Sequence, residues 1–212
     1  MIYNDLFPEK DCTAIQNWYP THERAAEKLE YRQIPPQKVK TVFYGDSITY
    51  NFQYHEFFPG ISFMNRGVPG DRLTGLYSRL ELDLYPYQPE QVVLHAGING
   101  IFEDNEIMLA KFEAISDLIV AHGAKVYLCS VLPLRHGDQW NRFQYQDKIV
   151  ALNKLLEELA ERKYSGFLDY HSAVKDGAGE LAEKFAKPDG THITFYGYCA
   201  MAEVLKKSVN LY

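Results

Sequence analysis

From residue 39 onward, short apolar runs rich in β-branched and aromatic residues alternate with longer stretches of helical period, and that alternation admits few architectures. The candidate strands are Lys40 to Tyr44, Ile61 to Asn65, Gln91 to Ala96, Lys125 to Val131 and Gly166 to Tyr170. Between the later ones, Met108, Phe112, Ile115 and Ile119 recur at helical spacing and stop at Gly123, and Ile149, Leu152, Leu155, Leu156 and Leu159 repeat the pattern. A last helix starts near Tyr196, with Met201, Val204 and Leu205 on one side. Strands of about five residues separated by helices predict an α/β fold, a three-layer α/β/α sandwich around a five-stranded parallel sheet. The domain spans 39–212. Residues 1–38, closed off by Pro35-Pro36, form an N-terminal arm packed on it, with a short helix over Thr21 to Arg32 and Thr21 as its candidate N-cap.

Composition removes several functions. The 212 residues carry 22 Lys+Arg against 28 Asp+Glu, a formal net charge of −6, whereas a protein that neutralises phosphates is ordinarily basic; no nucleic-acid partner is expected. Apolar runs such as Val126 to Leu134 fall short of the ~18 residues that a membrane span needs. The start lacks a basic region followed by an apolar one, and Cys12, Cys129 and Cys199 are odd in number and far apart. Both features fit reduced thiols and a cytoplasmic protein. His-Glu-x-x-His spacing and glycine-rich phosphate loops are absent from the sequence, so neither a metal nor another cofactor is expected.

In a parallel sheet the carboxyl ends of the strands share one edge, and ligands bind there. The loops at that edge carry Gly45-Asp46-Ser47-Ile48-Thr49, Asn65-Arg66-Gly67-Val68-Pro69-Gly70-Asp71, Gly97-Ile98-Asn99-Gly100 and Asp189-Gly190-Thr191-His192. Acyl transfer by a serine requires a hydroxyl, an imidazole base, a carboxylate to orient the imidazole, and donors for the oxyanion. Ser47, His192 and Asp189 supply the first three. The backbone N–H groups of Ser47 and Gly67 and the side-chain amide of Asn99 are candidates for the fourth.

These four blocks, in this order, resemble the SGNH hydrolases, also called GDSL esterases/lipases. The resemblance covers roughly residues 40 to 208. Asn65-Arg66-Gly67-Val68-Pro69-Gly70-Asp71 looks most like the branch of platelet-activating-factor acetylhydrolase-type proteins. It implies a flavodoxin-like sheet and metal-free ester hydrolysis through an acyl-serine. Ser47 is then the nucleophile, Asp189 and His192 complete the catalytic set, and Gly67 and Asn99 join the Ser47 N–H in the oxyanion hole. The family's third block usually reads Gly-x-Asn-Asp, but Gly100 follows Asn99 here, so a reoriented or more mobile Asn99 is expected.

The expected activity is hydrolysis of small acyl esters, above all acetyl esters, of a carbohydrate or short-chain lipid. Alternatives are a lysophospholipase or thioesterase acting on longer chains, and a binding module that has lost turnover. Several residues keep two readings. Ser47 and Asn99 also suit capping and turn roles, and His192 suits a place near a helix start. Tyr50, Phe52, Tyr54, Phe57 and Phe58 either pack the core beneath the nucleophile loop or line a pocket. Arg135, His136 and Trp140 either touch substrate or belong to a solvated loop.

Overall fold

The structure, a computed structural model, describes residues 3–137 and 141–212. Strands β1 (Thr41–Gly45), β2 (Phe63–Gly67), β3 (Gln91–His95), β4 (Lys125–Cys129) and β5 (Gly166–Leu168) pair in parallel in the order β2-β1-β3-β4-β5. The sheet is buried on both sides, so its strands alternate between two apolar layers rather than between core and water. Val42, Tyr44, Val92, Leu94, Val126 and Leu128 pack on one side with residues of the helices Leu73–Ser78, Asn105–Ala121 and Gln146–Lys163. Phe43, Val93, Cys129 and Leu168 pack on the other with the Phe195–Ser208 helix. Phe52, Tyr54 and Phe58 are buried in this second layer, where the Tyr54 ring stacks on Phe43, so most of the aromatic run after Ser47 is core.

Strand order reverses between β1 and β3, which opens a crevice at their carboxyl ends. The N-terminal segment reaches that crevice. Where one helix over Thr21 to Arg32 is expected, the described part of the segment holds three α-helices, Tyr3–Leu6, Glu9–Trp18 and Glu23–Glu30. His22 takes the N-cap position of the Glu23–Glu30 helix in an extended conformation, and Thr21, one residue earlier, donates its hydroxyl to the Trp18 carbonyl at 2.7 Å.

Buried polar contacts tie this segment to the sheet. The Tyr19 hydroxyl donates to Asp71 Oδ1 at 2.9 Å, and Arg32 donates to both oxygens of Asp83, at 2.6 and 3.0 Å. Between the two carboxylates lies Arg79, with 1% of its side chain exposed. It donates to Asp71 Oδ2 at 2.8 Å and to the Gly45 carbonyl at 3.0 Å, it approaches Asp83 Oδ2 at 3.4 Å, and it lies over the Tyr44 ring. Removing one partner of such a network leaves charge buried and uncompensated. Arg79→Ala is therefore expected to lower stability by about 3–5 kcal/mol in urea unfolding; a loss below about 1 kcal/mol would show that the network is dispensable.

Candidate active site

At the end of β1 the chain must turn sharply against its neighbour. A Cβ on Gly45 would lie 1.9 Å from the His95 carbonyl oxygen of β3, so a glycine is required there. Asp46 then caps the short helix Ser47–Asn51 by accepting the Ile48 N–H at 2.9 Å, which sets Ser47 at the first helical position over the crevice.

Ser47 Oγ lies 2.9 Å from His192 Nε2, and His192 Nδ1 lies 2.8 Å from Asp189 Oδ2. The carboxylate can only accept, so the imidazole proton sits on Nδ1 and Nε2 accepts from the Ser47 hydroxyl. The other carboxylate oxygen of Asp189 accepts the N–H groups of His192 and Thr191 at 2.7 and 2.9 Å, across a turn that Gly190 permits at φ +70°. Burial pushes the Asp189 carboxyl up, but these two N–H groups and the imidazole outweigh it and hold the group below the usual carboxylate range. The structure thus brings together Ser47, His192 and Asp189.

Asn99 joins them. Its Nδ2 donates to the Asp71 carbonyl at 2.9 Å and its Oδ1 accepts from Arg142 Nη2 at 3.2 Å, so two other loops anchor the side chain that Gly100 was expected to leave reoriented. Gly67 is not brought to the site. It ends β2 in register with Gly45, its N–H donates to Asn65 Oδ1 at 2.9 Å, and a Cβ there would meet the Tyr50 backbone. The glycine that does line the cavity over Ser47, together with Asn99 and His192, is Gly70. Among the described residues, no hydrogen bond is made by the N–H of Gly70 or of Ser47.

That cavity, about 470 Å³, is also lined by Trp18, His22, Glu23, Arg24 and Ala25 of the N-terminal segment, and by Arg142. Sequence reasoning left all six unassigned. Gly70 and Pro69 form a visible turn signal, whereas the wall has no local signal because it is built from a segment remote in sequence. Arg135 turns elsewhere, donating to the Leu181 carbonyl and pairing with Asp176 and Glu183; the His136 N–H donates to Glu180. Trp140 lies outside the described residues. Among the described residues no group of three His, Cys, Asp or Glu side chains could hold a metal ion, and no helix is long and apolar enough to cross a membrane.

Residues 43–200 match the GDSL-like Lipase/Acylhydrolase family. No curated protein matches the sequence. Among solved structures, the chain is similar to a Streptococcus pneumonia protein provisionally named a platelet activating factor, at 26% identity and TM-score 0.80, with 92% of this chain and 96% of that one covered. It is similar to a GDSL-like lipase from Bacteroides thetaiotaomicron VPI-5482 at 27% identity and TM-score 0.74, covering 86% and 93% of the two chains. A catalytic mutant of an acetylxylan esterase from Geobacillus stearothermophilus shares the fold at 16% identity and TM-score 0.67, with 84% and 96% covered.

Asp46, which precedes Ser47, and His95 line a cavity of about 10 Å³. Burial pushes the Asp46 carboxyl up to about 7 against the opposing Ile48 N–H, and burial pushes the His95 imidazole down to about 4. Above its ordinary value of ~4, unfolded Asp46 releases a proton that the folded state keeps, so its contribution to stability falls as pH rises from about 4 to 7. His95 acts oppositely. Unfolded His95 holds a proton up to ~6.5 that the folded state releases near 4, so stability rises with pH between those values. The two slopes oppose one another. Asp46→Asn keeps a capping side chain and removes one slope, so its stability should rise more steeply than wild type between pH 4.5 and 6.5, by up to about 1.4 kcal/mol per pH unit. Parallel urea-stability profiles for the two proteins would refute the opposition.

Proposed function

This chain belongs to the GDSL-like lipase/acylhydrolase family and is an ester hydrolase; within that activity we propose that it cleaves small acyl esters, above all acetyl esters, through an acyl-Ser47 intermediate. The observation that carries the mechanism is the continuous hydrogen-bond line from Ser47 through His192 to Asp189 at the mouth of a substrate-sized cavity. The preference for a small acyl group is supported by the walls of that cavity. Glu23, Arg24, Asn99 and Arg142 border it, and a long chain laid along them would strip water from charged groups without replacing their hydrogen bonds.

The steps follow from the atoms in place. Ser47 Oγ attacks the ester carbonyl carbon as its proton passes to His192 Nε2, and the resulting imidazolium is stabilised by Asp189. Negative charge collects on the former carbonyl oxygen. The N–H groups of Ser47 and Gly70 and the second N–H of the Asn99 amide are the donors assigned to it. Collapse breaks the bond to the alcohol, which leaves with the proton from His192. Water then attacks the acyl-serine while giving its proton to His192, and the carboxylic acid departs as Ser47 regains its hydrogen. Gly70 replaces Gly67 as the backbone donor in this scheme, because the Gly67 N–H is engaged by Asn65.

Ser47→Ala is expected to abolish turnover of 4-nitrophenyl acetate. A fluorophosphonate probe should label Ser47 in the wild type, as read by mass spectrometry; a protein that neither turns over nor labels would be a binding module on this fold. His192→Ala should fall nearly as far, by about 10³-fold or more, and adding it to Ser47→Ala should change little. Multiplicative losses would count against a concerted set. Gly70→Ala forces a side chain onto φ +78° and within 2.7 Å of Trp18. It should lower kcat by about 10²–10³ if the Gly70 N–H serves the oxyanion, and an unaltered kcat would return that role to another donor.

A further inference from the structure

The cavity over Ser47 does not end at the N-terminal wall. It shares Trp18 and Gly70 with a second cavity of about 540 Å³, and at that pair the two meet. The Trp18 indole rests on Gly70 so closely that Gly70 has no room for a Cβ beneath it. Trp18 is itself held, because its ring packs on His22 at 3.8 Å and the next residue, Tyr19, is hydrogen-bonded to buried Asp71. It forms a fixed ridge between the reacting atoms and the second compartment. Beyond the ridge the surface changes character. Asp11, Arg72, Thr74 and the ion pair of Lys111 with Glu103 line it together with Ala14 and Ile15, and Phe102, with 51% of its area exposed, faces the Arg72 guanidinium.

We propose that Trp18 is a specificity-determining residue and that the compartment beyond it is a subsite for the alcohol portion of the ester, a hydroxyl-rich chain of more than one sugar-like ring. This rests on the reading of Ser47 as the nucleophile of an ester hydrolase. With the ester carbon held at Ser47, whatever extends past Gly70 must cross Trp18 and lie among carboxylates, a threonine hydroxyl and two cations. An aliphatic chain would desolvate those groups without return, whereas hydroxyls donate to and accept from them. The Trp18 and Phe102 rings offer apolar faces for the C–H surfaces of sugar rings. Each cavity falls within the ~300–1,000 Å³ usual for small-ligand sites, which fits an occupant of linked units better than a single one.

The test compares acetate release from mono-O-acetylated cellotriose, xylotriose and mannotriose with release from the corresponding mono-O-acetylated monosaccharides. In the wild type at least one trisaccharide should exceed its monosaccharide tenfold in kcat/KM. Trp18→Ala should reduce that ratio at least fivefold, and so should Phe102→Ala, whose exposed ring can be removed without disturbing the core. Leu82→Ala, an exposed position elsewhere, should leave the ratio in place. Flat ratios in the wild type alongside hydrolysis of 4-nitrophenyl acetate would overturn the subsite and leave the esterase reading intact. A wild-type preference for 4-nitrophenyl octanoate that Phe102→Ala removes would also overturn it, by assigning the compartment to the acyl side. Absence of 4-nitrophenyl acetate turnover together with absence of fluorophosphonate labelling would remove the esterase reading, and the subsite with it.

Discussion

A guanidinium buried beneath the crevice organises this protein. Taking Arg79 out of water costs several kcal/mol, and only closely placed partners offset that cost. Those partners are the remote Gly45 carbonyl at the end of β1 and two carboxylates close by in sequence, Asp71 after β2 and Asp83. Asp71 and Asp83 in turn hold the N-terminal segment through Tyr19 and Arg32. Burial pushes the Asp83 carboxyl up, but the two arginines beside it prevail and keep it below the usual range, whereas at Asp71 burial outweighs Arg79 and Tyr19 and raises the carboxyl. The Asp71 carbonyl also anchors Asn99. One satisfied charge thereby fixes the nucleophile turn, the candidate amide donor and the cavity wall relative to one another.

The N-terminal segment takes its meaning from this arrangement. Its longest helix, Glu9–Trp18, has no fully buried residue, so apolar burial alone would hold that helix weakly. The ionic and hydroxyl contacts to Asp71 and Asp83 compensate, and the segment becomes part of the binding surface.

Much of this was legible in the sequence. Each strand lies within two residues of its expected bounds, because near-continuous apolar runs are the signature of strands buried on both sides. Ser47, His192 and Asp189 were legible because they sit in short loops directly after strands or before a helix, where sequence order and spatial position coincide. Gly67 was misplaced for an equally local reason. Asn65, Arg66 and Gly67 look polar enough for a loop, yet they extend the β2 ladder beside Phe43, Tyr44 and Gly45, so the exposed turn begins later and reaches Gly70. The Glu9–Trp18 helix was missed because its apolar stripe is thin: Cys12, Ile15 and Trp18 are only partly buried. Arg142 and the Trp18 wall meet the site through tertiary contacts between segments far apart in the chain, which no periodicity encodes.

The compactness of the Asp189–His192 turn has a mechanical consequence. Asp189 and His192 lie within four consecutive residues, locked by two backbone hydrogen bonds to one carboxylate oxygen and by the ring contact to the other. The pair therefore shifts as a single body, and relative motion between it and the nucleophile reduces to one coordinate, the separation of Ser47 Oγ from His192 Nε2. Thermal movement, a bound ligand or a remote substitution acts on the hydrogen-bond line by lengthening or shortening that one gap, while the tautomer of the base stays set.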